Sequence, residues 1–224
     1  MKILAFDTST RFLSIALLDD DVVISEFHKD VGIQHNKMLI PTMKNMLDDT
    51  GWHIPDIDLI CVGTGPGSFT GLRIAIAAAK GMGIVLNNKI KGVPTMDAMV
   101  RNVDEKVEYA APLLDARKGK IYTCIYKNSQ QGFVKQTGYL LLAIDELMSE
   151  LKNKVLFFGD AVSVYKDKLD ASSFSEYNEN IDWYPRAVEI GRIGLKRSLV
   201  SGGDDIRDLT PLYLHAKECN VISR

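Results

Sequence analysis

Cysteine is scarce in this chain. Three residues (Cys61, Cys124, Cys219) lie far apart in 224 positions with no Cys-x-x-Cys pair, which excludes a disulfide framework and a thiolate metal cluster. Cys61 and Cys124 sit inside apolar, strand-like runs where a small thiol is expected to be buried, so the chain is expected in a reducing cytoplasmic setting. Histidine is sparse as well: His28, His35, His53 and His215 are scattered, and no Ser/His/Asp or Cys/His triad assembles from them. A peptidase reading therefore has neither a metal-ligand set nor a nucleophile–base pair behind it. An excess of one charge is also missing. Lys and Arg number 27 against 29 Asp and Glu, a net charge of −2, which argues against a free-standing nucleic-acid binder while allowing a local basic patch. No apolar run approaches the ~20 residues of a membrane span, and the start of the chain, Lys2 and a short run broken at Asp7, has no signal-peptide pattern. No membrane association is expected.

What the chain does have is the run Gly63-Thr64-Gly65-Pro66-Gly67-Ser68-Phe69-Thr70-Gly71-Leu72-Arg73. It follows an apolar stretch (Leu59–Val62) and precedes an Ala-rich one, so it reads as strand, tight loop, helix. Such a loop presents backbone N–H groups at a helix N-terminus, where partial positive charge favours an anion. It matches neither common phosphate pattern: a Walker loop needs Gly-Lys-Ser/Thr where Gly71 is followed by Leu72, and a dinucleotide fingerprint read from Gly65 needs Gly where Thr70 stands.

Around this loop the first hundred residues alternate strand and helix. Strands are predicted at Lys2–Phe6, Phe12–Leu18 and Val22–Phe27, with Asp19-Asp20-Asp21 as a hairpin turn. A helix is predicted from about Gln34 to Asp49, either kinked at Pro41 or starting near it. Leu59–Val62 and Ile90–Val93 read as strands, Gly71–Leu86 as a helix, and Pro94 as the opening of a third helix. The second half restarts the pattern. Aligning Asp7 with Asp115 sets Leu4-Ala5-Phe6-Asp7 on Pro112-Leu113-Leu114-Asp115, and a new apolar run begins six residues later in each, at Leu13 and Ile121. A third strand (Gly132–Tyr139), a helix (Ile144–Leu151), a strand (Val155–Phe158) and a helix (Ala187–Leu199) complete a shortened copy. Two α/β lobes are expected, 1–104 and 105–224, each a mixed sheet opening with an antiparallel meander and flanked by helices, with a ligand cleft between them.

The segments FDTST, GTGPGSFTGLRIA, GVPTMDAM, LLDARKGKIY and TPLYL, in this order along nearly the whole chain, resemble the TsaB (YeaZ) family, the bacterial accessory proteins of tRNA threonylcarbamoyladenosine synthesis. GPGSFTG and LDARKGKIY are the specific pieces. The resemblance implies a two-lobed actin/Hsp70/sugar-kinase-like (ASKHA) fold, in agreement with the repeat. It also implies a non-catalytic scaffold that binds a TsaD-type enzyme and, through it, a TsaE-type ATPase, with tRNA met indirectly through the complex. The lone chain is expected to form a homodimer and to hold no cofactor, with ATP entering within the complex. A more distant resemblance to TsaD implies a His-x-x-x-His metal pair on the helix after the fifth strand; those positions read Thr95 and Met99 here, so the pair is missing.

Individual residues carry two readings each. Asp7, Thr8 and Ser9 stand where the superfamily contacts phosphates, or they form a turn satisfied by its own backbone. Gly65, Gly67 and Ser68 share the phosphate-facing reading, and Ser68 and Thr70 alternatively cap the Ala-rich helix. Arg73, badly placed for the helix dipole, pairs with a carboxylate or points at an anion. Small residues cover nearly every face of helix Gly71–Leu86, so Ala75 and Ala79, with Leu72, His35, Met38 and Leu39, are expected at a partner or dimer interface. Arg117, Lys118 and Lys120 form a basic hairpin tip, either solvated or facing tRNA; Asp160, after the strand ending at Phe158-Gly159, is expected to cap the helix that follows that strand. The contrasting function is an ATP-binding phosphotransferase or hydrolase using the inter-lobe cleft, with Asp7 at the phosphates.

Overall fold

The computed structural model describes residues 1–104, 106–130 and 132–214. His215 and Cys219 lie outside the described residues. Contacts divide the chain into one unit of Met1–Ala98 with Pro185–Leu212, and a second built on Met99–Tyr184. The expected division at 104/105 is thereby corrected: the chain returns to its first unit after completing the second.

The first unit begins with β1 (Lys2–Asp7), β2 (Phe12–Asp19) and β3 (Val22–Asp30), an antiparallel meander. Helix α1 (His35–Thr50), strand β4 (Leu59–Gly63), helix α2 (Phe69–Leu86), strand β5 (Lys89–Val93) and the short helix α3 (Thr95–Met99) follow. The sheet order is β3-β2-β1-β4-β5, with β1, β4 and β5 parallel. Strands β1 and β4 read as unbroken apolar runs because both faces are covered: Ile3–Phe6 and Leu59–Val62 are fully buried. One face (Leu4, Phe6, Ile60, Val62) packs under α1 and α2; the other (Ile3, Ala5, Leu59, Cys61) belongs to a separate core. Helix α1 runs through Pro41 from a start at His35, so proline neither begins nor ends it.

The second unit contains β6 (Tyr109–Arg117), β7 (Lys120–Thr123), β8 (Tyr126–Ser129), β9 (Gly132–Lys135), β10 (Leu140–Ala143), α4 (Ile144–Glu150), β11 (Val155–Phe158), α5 (Asp160–Val164), α6 (Lys166–Asp170) and β12 (Ser175–Tyr177). Its main order, β10-β7-β6-β11-β12, repeats that of the first sheet, with β6 antiparallel to β7 and parallel to β11. The third strand of the copy is β10, where Gly132–Tyr139 was expected. The chain leaves the sheet after Thr123, the Ile125 N–H donates to the Thr137 hydroxyl (3.0 Å), and β8 and β9 pair antiparallel beside it, β8 also pairing with β6.

The last helix, α7 (Ala187–Ser201), was expected in the second lobe but packs on the first sheet, covering Ile3, Ala5, Ala16, Leu18, Leu59 and Cys61 with Ala187, Val188, Ile190, Ile193 and Leu195. Its glycines set the approach: a Cβ on Gly194 would fall onto the Cys61 sulfur, and one on Gly191 would lie 2.6 Å from a Leu18 methyl. The buried Ser14 hydroxyl accepts the Ala187 N–H at its start (2.7 Å), and Arg186 pairs with Glu26.

Candidate functional site

Strand β1 ends at Asp7 directly beside the glycine loop, and the two segments are zipped together. Asp7 Oδ1 accepts the Ser9 N–H (2.7 Å) and the Ser9 hydroxyl (2.6 Å), while Oδ2 accepts the Thr95 hydroxyl (2.8 Å). Thr95 Oγ1 in turn accepts the Gly65 N–H (3.1 Å), and the Thr95 N–H donates to the Gly65 carbonyl (2.8 Å). The Ser68 N–H donates to the Ser9 carbonyl (2.7 Å), and the Thr8 hydroxyl to the Gly71 carbonyl (2.7 Å). Two glycines make this closeness feasible. A Cβ on Gly63 would fall onto the Asp7 carboxylate, and one on Gly71 onto the Thr8 carbonyl oxygen.

Asp7, Thr8, Ser9 and Thr95 are all buried. Burial pushes the Asp7 pKa above the usual carboxylate range, opposed by the Ser9 and Thr95 hydrogen bonds and by His35 nearby. The residues expected at phosphates thus direct their polar groups at one another. Ser68 is exposed, and its hydroxyl accepts the Gly71 N–H (3.2 Å) as the N-cap of α2. Thr95 and Met99, at the positions of the TsaD-type metal pair, are buried, the former bound to Asp7.

The residues expected at an interface need correction. His35, Leu39, Leu72, Ala75 and Ala79 are buried inside the first unit, and Met38 is half-buried against the same core. A helix that is small and apolar on every side does not reveal in its sequence which side meets its own sheet. The outward side of α2 is instead the i, i+4 row Phe69, Arg73, Ala77, Gly81 and Val85, with Ile84 beside it. Phe69 is 54% and Val85 82% exposed. The Arg73 guanidinium lies 3.7 Å over the Phe69 ring, which accounts for a cation in the first turn. Ile33, two residues before α1, and Ile40, in its second turn, are exposed as well. Over its 18 residues α2 has a mean hydropathy of 1.5, enough by length and composition to cross a membrane, which corrects the expectation that no run comes near that length. Only 33% of this span is buried, so much of its apolar side chain is presented outward. The signal that finds this row is the four-residue spacing from Phe69.

Beside β5 a cavity of about 480 Å³ is lined by Lys91, Lys196, Arg197, Val200, Ser201 and Asp204. Its buried Lys91 is held by Asp204 (2.6 Å) and Ser201 (2.9 Å), and Arg197 by Asp97 (2.7 Å). In the second unit, Arg117, Lys118 and Lys120 form the β6–β7 turn. Asp160, at the first position of α5, turns back so that its Oδ1 accepts the Asp115 N–H (2.9 Å).

The family model TsaD, described as tRNA N6-adenosine threonylcarbamoyltransferase, matches residues 25–205. The tRNA threonylcarbamoyladenosine biosynthesis protein TsaB of Bacillus subtilis is 30% identical over 99% of this chain and 97% of its own length. Its namesake from Escherichia coli is 34% identical over 59% of this chain and 58% of its own. Among solved structures, YeaZ from Pseudomonas aeruginosa superposes with a TM-score of 0.82 at 23% identity, over 95% of this chain and 99% of that one. The activator of the 2-hydroxyisocaproyl-CoA dehydratase from Clostridium difficile gives a TM-score of 0.50 at 8% identity, over 90% and 97% of the two chains. The fold is that of the actin/Hsp70/sugar-kinase class.

Proposed function

The chain belongs to the TsaB family of tRNA threonylcarbamoyladenosine biosynthesis proteins, and on that footing we propose that it is a non-catalytic scaffold subunit which binds a TsaD-type transferase. Through that enzyme it meets a TsaE-type ATPase and is brought to the tRNA, in the cytoplasm, with ATP held by the assembly. Without its partner the chain covers the same face with a second copy of itself. The observation that carries this reading is the outward row of α2, an exposed apolar helix face of the kind that marks protein interfaces. Phe69 with Arg73 stacked on it supplies the aromatic and guanidinium anchors that dominate such contacts. Docking there orders the catalytic partner, and bond-making belongs to the partner.

The phosphotransferase alternative requires the Asp7 carboxylate at a phosphate. That carboxylate accepts three hydrogen bonds from its own chain and is fully buried, which favours the scaffold.

The test is co-purification with TsaD-type and TsaE-type subunits, with and without ATP, read by mass and by tRNA modification. Gly81→Arg is the informative variant, because a Cβ at Gly81 meets nothing within 4 Å and the long cation projects outward. Loss of both assembly and modification is expected. Unchanged assembly with Gly81→Arg, or modification by the purified chain alone, overturns the proposal.

A further inference from the structure

The two copies of the internal repeat treat their first turn in opposite ways. In the first unit the turn after β1 is sealed, because residues 64–68 fold over it before α2 begins. In the second unit the chain passes from β11 through Gly159 alone into α5, and among the described residues no such loop between strand and helix stands over the turn after β6. That turn holds Arg117-Lys118-Gly119-Lys120, the only four-residue window in the chain with three basic residues. The Arg117 side chain is 86% exposed, Lys118 is exposed and Lys120 half-buried.

The tip has a defined shape. Asp115 Oδ1 accepts the Arg117 N–H (2.8 Å), its Oδ2 pairs with the guanidinium (3.1 Å), and the Asp115 N–H is fixed by Asp160. Arg117 and Lys118 both adopt left-handed backbone, φ +66° and +52°, ahead of Gly119 at +76°. Long cationic side chains stand at two positions where that conformation favours glycine or asparagine. Among the described residues Lys118 and Lys120 have no carboxylate partner. Asp145, two residues past the Ala143 that faces Lys120 across the β10–β7 ladder, is engaged by Lys168 (2.7 Å).

We propose that the β6–β7 tip is a contact for the backbone phosphates of RNA. Three cations on a turn of fixed shape offer a guanidinium fork and two ammonium groups to successive phosphates, with no base reading. The net charge of −2 gives the chain no overall pull on a polyanion, so such binding relies on a local basic patch. The choice of RNA as the polyanion rests on the family's place in tRNA modification; the chemistry of the tip is independent of the α2 docking face.

The experiment titrates bulk tRNA against the full chain, alone and mixed with a TsaD-type enzyme, by fluorescence anisotropy from 50 to 300 mM salt. Wild type is compared with Arg117→Glu/Lys118→Glu/Lys120→Glu and with the neutral triple Gln variant; native mass spectrometry reports assembly separately. Both variants are expected to weaken tRNA binding at 50 mM salt by at least about tenfold and to flatten log K against log salt by about 2, the share of three lost phosphate contacts. Assembly is expected to stay unchanged. Equal affinity and slope for wild type and the neutral variant overturn the inference, as does displacement of the effect by millimolar ATP, which would assign the tip to a free nucleotide. Failure of assembly in wild type counts against the scaffold reading alone, since the lone chain still reports on the tip.

Discussion

Asp7 concentrates the chemistry of the first unit in one carboxylate without solvent. Because burial raises its pKa, the folded chain holds that proton to higher pH than the unfolded chain does, so stability falls as pH rises from about 3.8 through the raised value. Asp7→Asn keeps the size and an acceptor for Ser9 but has no charge to bury. The two proteins are expected to unfold alike near pH 3, with the Asn variant gaining relative stability as pH rises to 7; denaturant melts across that range measure it. A parallel gap at every pH would mean that Asp7 ionisation is not coupled to folding. Gly63 is the steric counterpart. Gly63→Ala forces the carboxylate off Thr95 and is expected to cost about 1–3 kcal/mol in urea unfolding. Both residues were legible as special in the sequence, one as the acid ending a strand and the other as the first glycine of the loop. That they press on each other depends on β1 and β4 lying side by side, a pairing between residues more than fifty positions apart.

At the scale of the element, α2 has two faces with opposite duties. Its inner face touches β1, β4 and β5 through Leu72, Ala75, Ile76 and Ala79; its outer face carries the row from Phe69 to Val85. Leu72→Ala is expected to destabilise the chain by about 2–5 kcal/mol through the cavity it leaves. Gly81→Arg is expected to hold or raise thermal stability, since arginine is the better helix former by up to about 1 kcal/mol, while partner binding is lost. Calorimetry of both variants beside a pull-down separates the duties; a pull-down in which only the Leu72 variant fails would place the interface elsewhere. The sequence announced a small-residue helix but left its rotation open, because Ala and Gly on every side have almost no amphipathic signal. The rotation follows from the contact of Gly71 with Thr8 and from Ser68 as N-cap.

Over the whole molecule, the controlling feature is the return of α7 to the sheet on which the chain began. Fragment 1–104 lacks that helix and leaves Ile3, Ala5, Ala16, Leu18, Leu59 and Cys61 bare on one face of the sheet. It is expected to lack cooperative unfolding and to bind ANS, whereas residues 1–98 joined through a short linker to 185–212 should unfold in a single transition with native near-UV dichroism. A cooperative 1–104 fragment would refute that dependence. Local pattern was enough to establish the five strands of the first unit, most helix positions, the repeat headed by Asp7 and Asp115, and the family motifs, because each is written in neighbouring residues as periodicity, turn chemistry and glycine placement. Three features were out of its reach: the unit that α7 joins, the strand that completes the second meander, and the face of α2 that meets solvent. All three depend on apolar surfaces brought together from distant parts of the chain, where hydrophobic burial has no preferred direction and close approach selects the partner.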